Sequence, residues 1–180
     1  MVDFFVEFVK ALWIILPAYA ANGFPPLANG RKPLDFGKAW IDGERIFGNG
    51  KTIEGFSLGL AVGTGVGILE ALLYPFLNSY ANQFGVQMPR MNIFIGFLIP
   101  LGALCGDLAG SFIKRRFRLP RGADAPVLDQ LNFVAGAIFF AYFFTEISFW
   151  MVVIMALMTP IIHRTANIAA YWLKIKKVPW

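Results

Sequence analysis

The sequence predicts an all-α integral membrane protein with five transmembrane helices, the N-terminus outside and the C-terminus in the cytoplasm. Three observations carry that expectation. The chain is 57% hydrophobic and 15% charged, against about 45–50% and about 25% in soluble domains. Its apolar residues gather into windows of about 20, the length that crosses a hydrocarbon core as a helix. Fourteen of the 16 lysines and arginines fall between or after those windows on one side. Nineteen Phe, 18 Gly and 11 Pro occur in no fixed repeat, which excludes collagen-like and coiled-coil chains.

The whole chain, 1–180, reads as a single transmembrane domain. The first span, about 4–21, carries Asp3, Glu7 and Lys10 near its start and Pro17 as a kink. Two acids and one base replace the positive leading segment of a signal peptide, so the span is expected to be retained despite Ala18-Tyr19-Ala20. The second and third spans run about 53–77 and 92–113. The apolar stretch after them is long enough for two more, about 127–145 and 147–171, with a turn near Thr145-Glu146. Loops at about 22–52 and 114–126 hold Arg31, Lys32, Lys38, Arg45 and Lys51, and Lys114, Arg115, Arg116, Arg118 and Arg121; Arg164, Lys174, Lys176 and Lys177 follow the last span. Only Lys10 and Arg90 lie opposite. The positive-inside rule then puts both loops in the cytoplasm of a multi-pass cell-membrane protein. Trp13, Trp150, Trp172 and Trp180 suit interfacial or lipid-facing places in that bilayer better than base stacking, and no nucleic-acid partner is expected.

Glycines recur every four residues as Gly55, Gly59, Gly63 and Gly67 and as Gly102, Gly106 and Gly110, a stripe on one face of each helix. The plain reading is close helix packing. The other is that Gly59, Gly63, Gly106 and Gly110 leave a groove for lipid chains.

Chemistry is expected at the cytoplasmic ends. One Cys and one His cannot build a Cys/His metal cage, so a metal would be held by oxygen. Asp107 lies inside an apolar span near its cytoplasmic end, where an acid is costly and marks function unless it snorkels or pairs with a loop arginine. Asp107, Ser111 and Lys114 share one helical stripe, setting a carboxylate beside anion-binding groups. The basic run that follows reads as a topology and headgroup signal on its own. Because Asp107 and Asp129 bracket it, it also reads as a nucleotide site in which carboxylates and phosphate oxygens hold a hard cation. Gly48-Asn49-Gly50-Lys51-Thr52 mimics a P-loop but has Arg45 where the first glycine belongs and no preceding strand. It remains a candidate phosphate-binding turn at the start of span two.

The segment Gly106-Asp107-Leu108-Ala109-Gly110-Ser111-Phe112-Ile113-Lys114-Arg115, followed by Pro120, Asp129 and Asn132, resembles the signature of CTP-dependent phosphatidate cytidylyltransferases. It departs from that signature at Gly122-Ala123-Asp124-Ala125-Pro126, at Gln130 and at Asn132. Asn22-Gly23 and the run from Pro33 to Thr52 resemble the first loop of the CDP-archaeol synthases, small five-span relatives, and with them the resemblance spans most of the chain. It implies cytidylyl transfer from CTP to an isoprenoid glycerol ether lipid phosphate, 2,3-bis-O-(geranylgeranyl)-glycerol 1-phosphate, with Mg2+. Asp107 and Asp129 are then expected to hold the metal and, with Lys114, to form the catalytic set. CTP is expected to meet Asn22, Gly23, Lys38, Arg45, Lys51, Thr52, Ser111, Arg115 and Asn132. Rival readings are a bacterial-type phosphatidate cytidylyltransferase, a CTP-dependent polyprenol kinase and, outside enzymes, a small transporter or channel subunit. Glu70 and Glu146 read as structural acids, Cys105 as core and His163 as interfacial or packing; Asp35, Asp42 and Asp124 receive no role.

Overall fold

A computed structural model describes residues 3–119 and 125–174. Pro120, Arg121, Gly122, Ala123, Asp124, Lys176, Lys177 and Trp180 lie outside them. The described residues form five α-helices and no strand: α1 Phe4–Gly23, α2 Ile53–Asn82, α3 Ile93–Arg116, α4 Pro126–Ala141 and α5 Phe149–Trp172. A short 3-10 turn, Pro25–Ala28, follows α1.

Four helices start on a side-chain cap, which satisfies amide groups that the first turn leaves unpaired. Asp3 accepts from the Phe5 and Val6 amides, Thr52 from Gly55 at 3.1 Å, Asn92 from Ile95 at 2.9 Å and Ser148 from Met151 at 3.1 Å. The helices α1, α2, α3 and α5 are each long and apolar enough to cross a membrane. The shorter α4 has 16 residues, about 24 Å at 1.5 Å per residue, against a hydrocarbon core of about 30 Å. The span expected at 127–145 is therefore helical only to Ala141. Beyond it the chain turns, and the Thr145 hydroxyl donates to the Arg90 carbonyl at 2.7 Å, tying that turn to the start of α3.

The core is made by Ala11, Ile14 and Ile15 of α1, Ile95 and Ile99 of α3, Phe133 of α4, and Met151 and Met155 of α5. The opposite faces expose Phe76, Leu72, Phe139, Leu157 and Ile161. That is the arrangement of a chain whose outer solvent is hydrocarbon.

The glycine stripes are filled by neighbouring helices. A Cβ on Gly67 would fall on the Gly96 backbone, one on Gly63 on Pro17, Ala21 and Pro100, and one on Gly59 on the Ala21 carbonyl. Gly106 meets the Asn132 carbonyl and Gly136, while Gly110 meets the Asn132 side chain. The groove expected along Gly59, Gly63, Gly106 and Gly110 is thus closed. Small residues let the backbones approach until no channel remains.

Candidate active site

The segment between α1 and α2 folds around one carboxylate. Asp35 is buried and accepts from the amides of Gly37 (3.1 Å), Phe47 (3.0 Å) and Gly48 (2.8 Å) and from Arg45 Nε (3.2 Å), with the Arg45 Nη2 bond completing an ion pair. Burial alone would raise this carboxyl; the guanidinium of Arg45 and the three backbone N–H groups hold it well below the usual carboxylate range instead. Gly43 and Gly48, both at positive φ, allow the chain to reverse around the acid. Pro33 pairs with Thr52 and Ala39 with Arg45, so the loop returns to the head of α2.

The end of α3 holds that loop in place. Arg116 ion-pairs with Asp42 at 2.7 Å and donates to the Arg45 carbonyl at 2.7 Å, and its guanidinium lies 4.5 Å from the Phe112 ring centroid. Trp40 meets the same ring edge-on at 5.4 Å.

The loop and all five helices then enclose a cavity of about 390 Å³. Asp107 of α3 and Asp129 of α4 both line it, each covered by a lysine. Lys51, carried by the loop, donates to Asp107, and Lys114 donates to Asp129 at 2.5 Å. Asp129 stands in the first turn of α4 and also accepts from the Ala125 amide at 3.3 Å, a placement the helix dipole favours. Asn22, Gly50 and Thr52 complete the loop side. Two carboxylates and two ammonium groups thus converge on one concave surface. The acids suit a hard cation that takes one or two protein carboxylates and completes its shell with water and substrate phosphate. Among the described residues no cluster of three or more His, Cys, Asp or Glu offers a fuller metal cage.

Of the residues expected at the site, Asn22, Lys51, Thr52, Asp107, Lys114 and Asp129 line this cavity. Gly23 lines a smaller adjoining one. Lys38 is exposed on the loop. Arg45 turns away toward Asp35 and Asn49, so its charge organises the loop. Ser111 is buried. Arg115 packs near Gly48, and Asn132 sits in the α3–α4 contact, where its Oδ1 accepts from the Phe133 amide. The lining also includes His163 and Asn167 of α5, joined Nδ1···Nδ2 at 3.3 Å. Their four-residue spacing on an apolar helix is the sequence signal that could have singled them out.

Known proteins are similar to this chain along most of its length. The family described as "CarS-like: CDP-archaeol synthase" matches residues 1–180. A CDP-archaeol synthase of Pyrococcus furiosus is 46% identical over 172 residues, covering 96% of this chain and 98% of the relative. That of Methanocaldococcus jannaschii is 42% identical over 171 residues, covering 94% and 96%. A solved structure described as "Structural insight into an intramembrane enzyme for archaeal membrane lipids biosynthesis" superposes with a TM-score of 0.75 at 38% identity, over 89% of this chain and 94% of its own. Matched from end to end by the family and by relatives of its own length, the chain belongs to the CDP-archaeol synthases.

Proposed function

We propose that this protein transfers a cytidylyl group from CTP to 2,3-bis-O-(geranylgeranyl)-sn-glycerol 1-phosphate, giving the CDP-linked ether lipid and pyrophosphate. The carrying observation is the pair of lysine-covered carboxylates, Asp107 with Lys51 and Asp129 with Lys114, in one cavity of a CDP-archaeol synthase.

An oxygen of the lipid phosphate attacks the α-phosphorus in line. A new P–O bond forms, the bond between the α-phosphorus and its bridging oxygen breaks, and its electron pair leaves with pyrophosphate. The lipid phosphate is already an anionic nucleophile, so the protein's work is positioning and charge stabilisation. Asp107 and Asp129 would hold Mg2+, which neutralises phosphate charge when bound. Lys51 and Lys114 stand beside those acids to receive phosphate oxygens, and Thr52, Gly50 and the head of α2 supply a polar rim.

We place the chain as a multi-pass membrane protein whose fourth crossing is completed by α4 and the turn after it, with the cavity facing the cytoplasm. The charge distribution supports that orientation, since Lys51 lies in the first base-rich loop and Lys114 in the basic last turn of α3 that leads into the second. CTP then arrives from the cytoplasm and the lipid from the inner leaflet.

The test incubates purified protein with CTP, Mg2+ and a panel of ether- and ester-linked lipid phosphates and free polyprenols. Lipid-dependent pyrophosphate release with the geranylgeranyl ether phosphate is expected. Release of CDP would make the protein a kinase, and preference for diacyl phosphatidate would make it the bacterial type.

A further inference from the structure

We infer that the hairpin tip of the first loop, Trp40-Ile41, together with Phe117 after α3, is an interfacial anchor that rests on anionic lipid headgroups at the basic end of the bundle. In the orientation proposed above, that surface is the inner leaflet. The tip is built, not slack. The Trp40 amide donates to the Glu44 carbonyl at 2.7 Å, Ile46 to Lys38 at 3.2 Å and Gly43 to Trp40 at 3.0 Å, with Gly43 at the positive φ a tight turn allows. Turns in water favour Gly, Pro, Asn, Asp and Ser, yet this one presents Ile41 with 94% of its surface exposed. Phe117 is 73% exposed and Trp40 about half exposed. The Asp42–Arg116 ion pair ties the chain neighbours of Ile41 and Phe117 together, so both belong to one rim.

Depth selects a lipid surface as the partner. Phe112 stands one turn before the end of α3, where Lys114, Arg115 and Arg116 close an otherwise apolar span. That change from apolar to basic marks the edge of the hydrocarbon. Trp40 packs edge-on against Phe112 at 5.4 Å, so its ring lies at headgroup level, where an amphipathic indole is favoured. The hairpin therefore starts from the bilayer surface instead of projecting into the cytoplasm. Charge fits the same partner. Residues 31–51 hold Arg31, Lys32, Lys38, Arg45 and Lys51 against Asp35, Asp42 and Glu44. Those acids are all paired, with Arg45, Arg116 and Arg118 respectively, so they do not repel an anionic leaflet as free charges would. Exposed apolar side chains set among bases are the composition by which peripheral segments seat on such a surface.

The test places a single cysteine at position 41 in a background without Cys105, attaches the fluorophore NBD, and reconstitutes the protein in nanodiscs of neutral phospholipid with and without an anionic one. No substrate is added, so the outcome is independent of the proposed reaction. Emission at 41 should shift to the blue, be quenched by lipid spin-labelled at the headgroup, and lose its quenching by aqueous iodide, more so with anionic lipid. The same label at Asn49, exposed on the same loop, should remain iodide-quenched. A second arm needs no label. In nanodiscs, Ile41→Asp should speed hydrogen exchange at Gly43 and Ile46 while Phe47 and Gly48, bonded to Asp35, keep their protection. A label at 41 that iodide quenches and spin-labelled lipid does not would overturn the anchor and leave the tip to a protein partner. Equal lipid quenching at 41 and 49 would overturn it as well, since the fluorophore itself would then be seeking the bilayer. So would unchanged exchange at Gly43 and Ile46 in Ile41→Asp, because a tip standing in water loses nothing when it gains a charge.

Discussion

Replacing Asp35 by asparagine isolates what the first loop contributes to the site. The carboxylate collects three backbone N–H groups and a bidentate arginine with its side chain fully buried. Asparagine keeps one acceptor oxygen and turns an NH2 toward either the Gly37 amide or the amides of Phe47 and Gly48. Removing one partner of a buried ion pair costs about 3–5 kcal/mol. The Arg45 side chain is 30% exposed, so water recovers part of that, and a loss of about 3 kcal/mol is expected. It falls on the loop, because the helix core lies elsewhere. At about 1.4 kcal/mol per tenfold, the Phe47 and Gly48 amides should exchange hydrogen about 100-fold faster, while α3 and α4 keep their protection. CTP affinity should fall with it, since Gly50 and Lys51 reach the cavity on this loop. Hydrogen exchange read by mass spectrometry on reconstituted wild type and variant, with CTP titrations on both, measures the two effects. Unchanged protection at Phe47 and Gly48 together with unchanged CTP affinity would refute the reasoning. The pH dependence has a definite sign. The folded carboxyl lies below its ordinary value of about 3.9, so this stabilisation is complete above about pH 5 and drains as the pH falls through the carboxylate range toward the depressed value. Wild-type loop protection should weaken in that acid window, and the asparagine variant should lack this dependence.

Asp107→Asn and Asp129→Asn should each cut pyrophosphate release by about 10²–10³-fold at saturating Mg2+ in a protein that melts normally; near-normal turnover removes that residue from the site. Gly106→Leu drives a side chain into the Asn132 carbonyl, and overpacking of this kind costs about 1–3 kcal/mol or more. Its melting temperature should fall and both substrates should bind less well, whereas a normally melting variant would mean that α3 and α4 are not in close contact there. In a background without Cys105, a cysteine near Arg90 should react with an impermeant thiol reagent on intact cells and one near Arg118 should not. The opposite pattern would invert the orientation.

Long helices were readable because their ends and interiors agree. Asp3, Thr52, Asn92 and Ser148 each supply a cap just ahead of an apolar run, and the helices begin there. The end of α4 was not readable. Phe143, Phe144 and Ile147 continue the apolar composition past Ala141, while the turn there closes through the Phe144 and Thr145 amides on the Ala141 carbonyl and is anchored by a tertiary bond from Thr145 to the Arg90 carbonyl. Within the site, Asp107, Lys114 and Asp129 could be singled out from a stripe and two bracketing acids. Arg45 and Lys51, six residues apart in one basic loop, looked alike, yet one turns to Asp35 and the other to Asp107.

Local sequence determined the solvent, the helices and the residue types at one end of the bundle. Those follow from apolar length, caps and the cost of an acid at membrane depth, each a property of a few consecutive residues. Only the tertiary structure decided which charges meet. Glycine stripes became sealed contacts once α1, α3 and α4 closed on them, and His163 and Asn167 joined the acids only when α5 was laid beside α1 and α4. The reason is range. A stripe or a loop specifies what a side chain can do, whereas its partner, lying 56 residues away for Lys51 and Asp107, is chosen by how the helices pack.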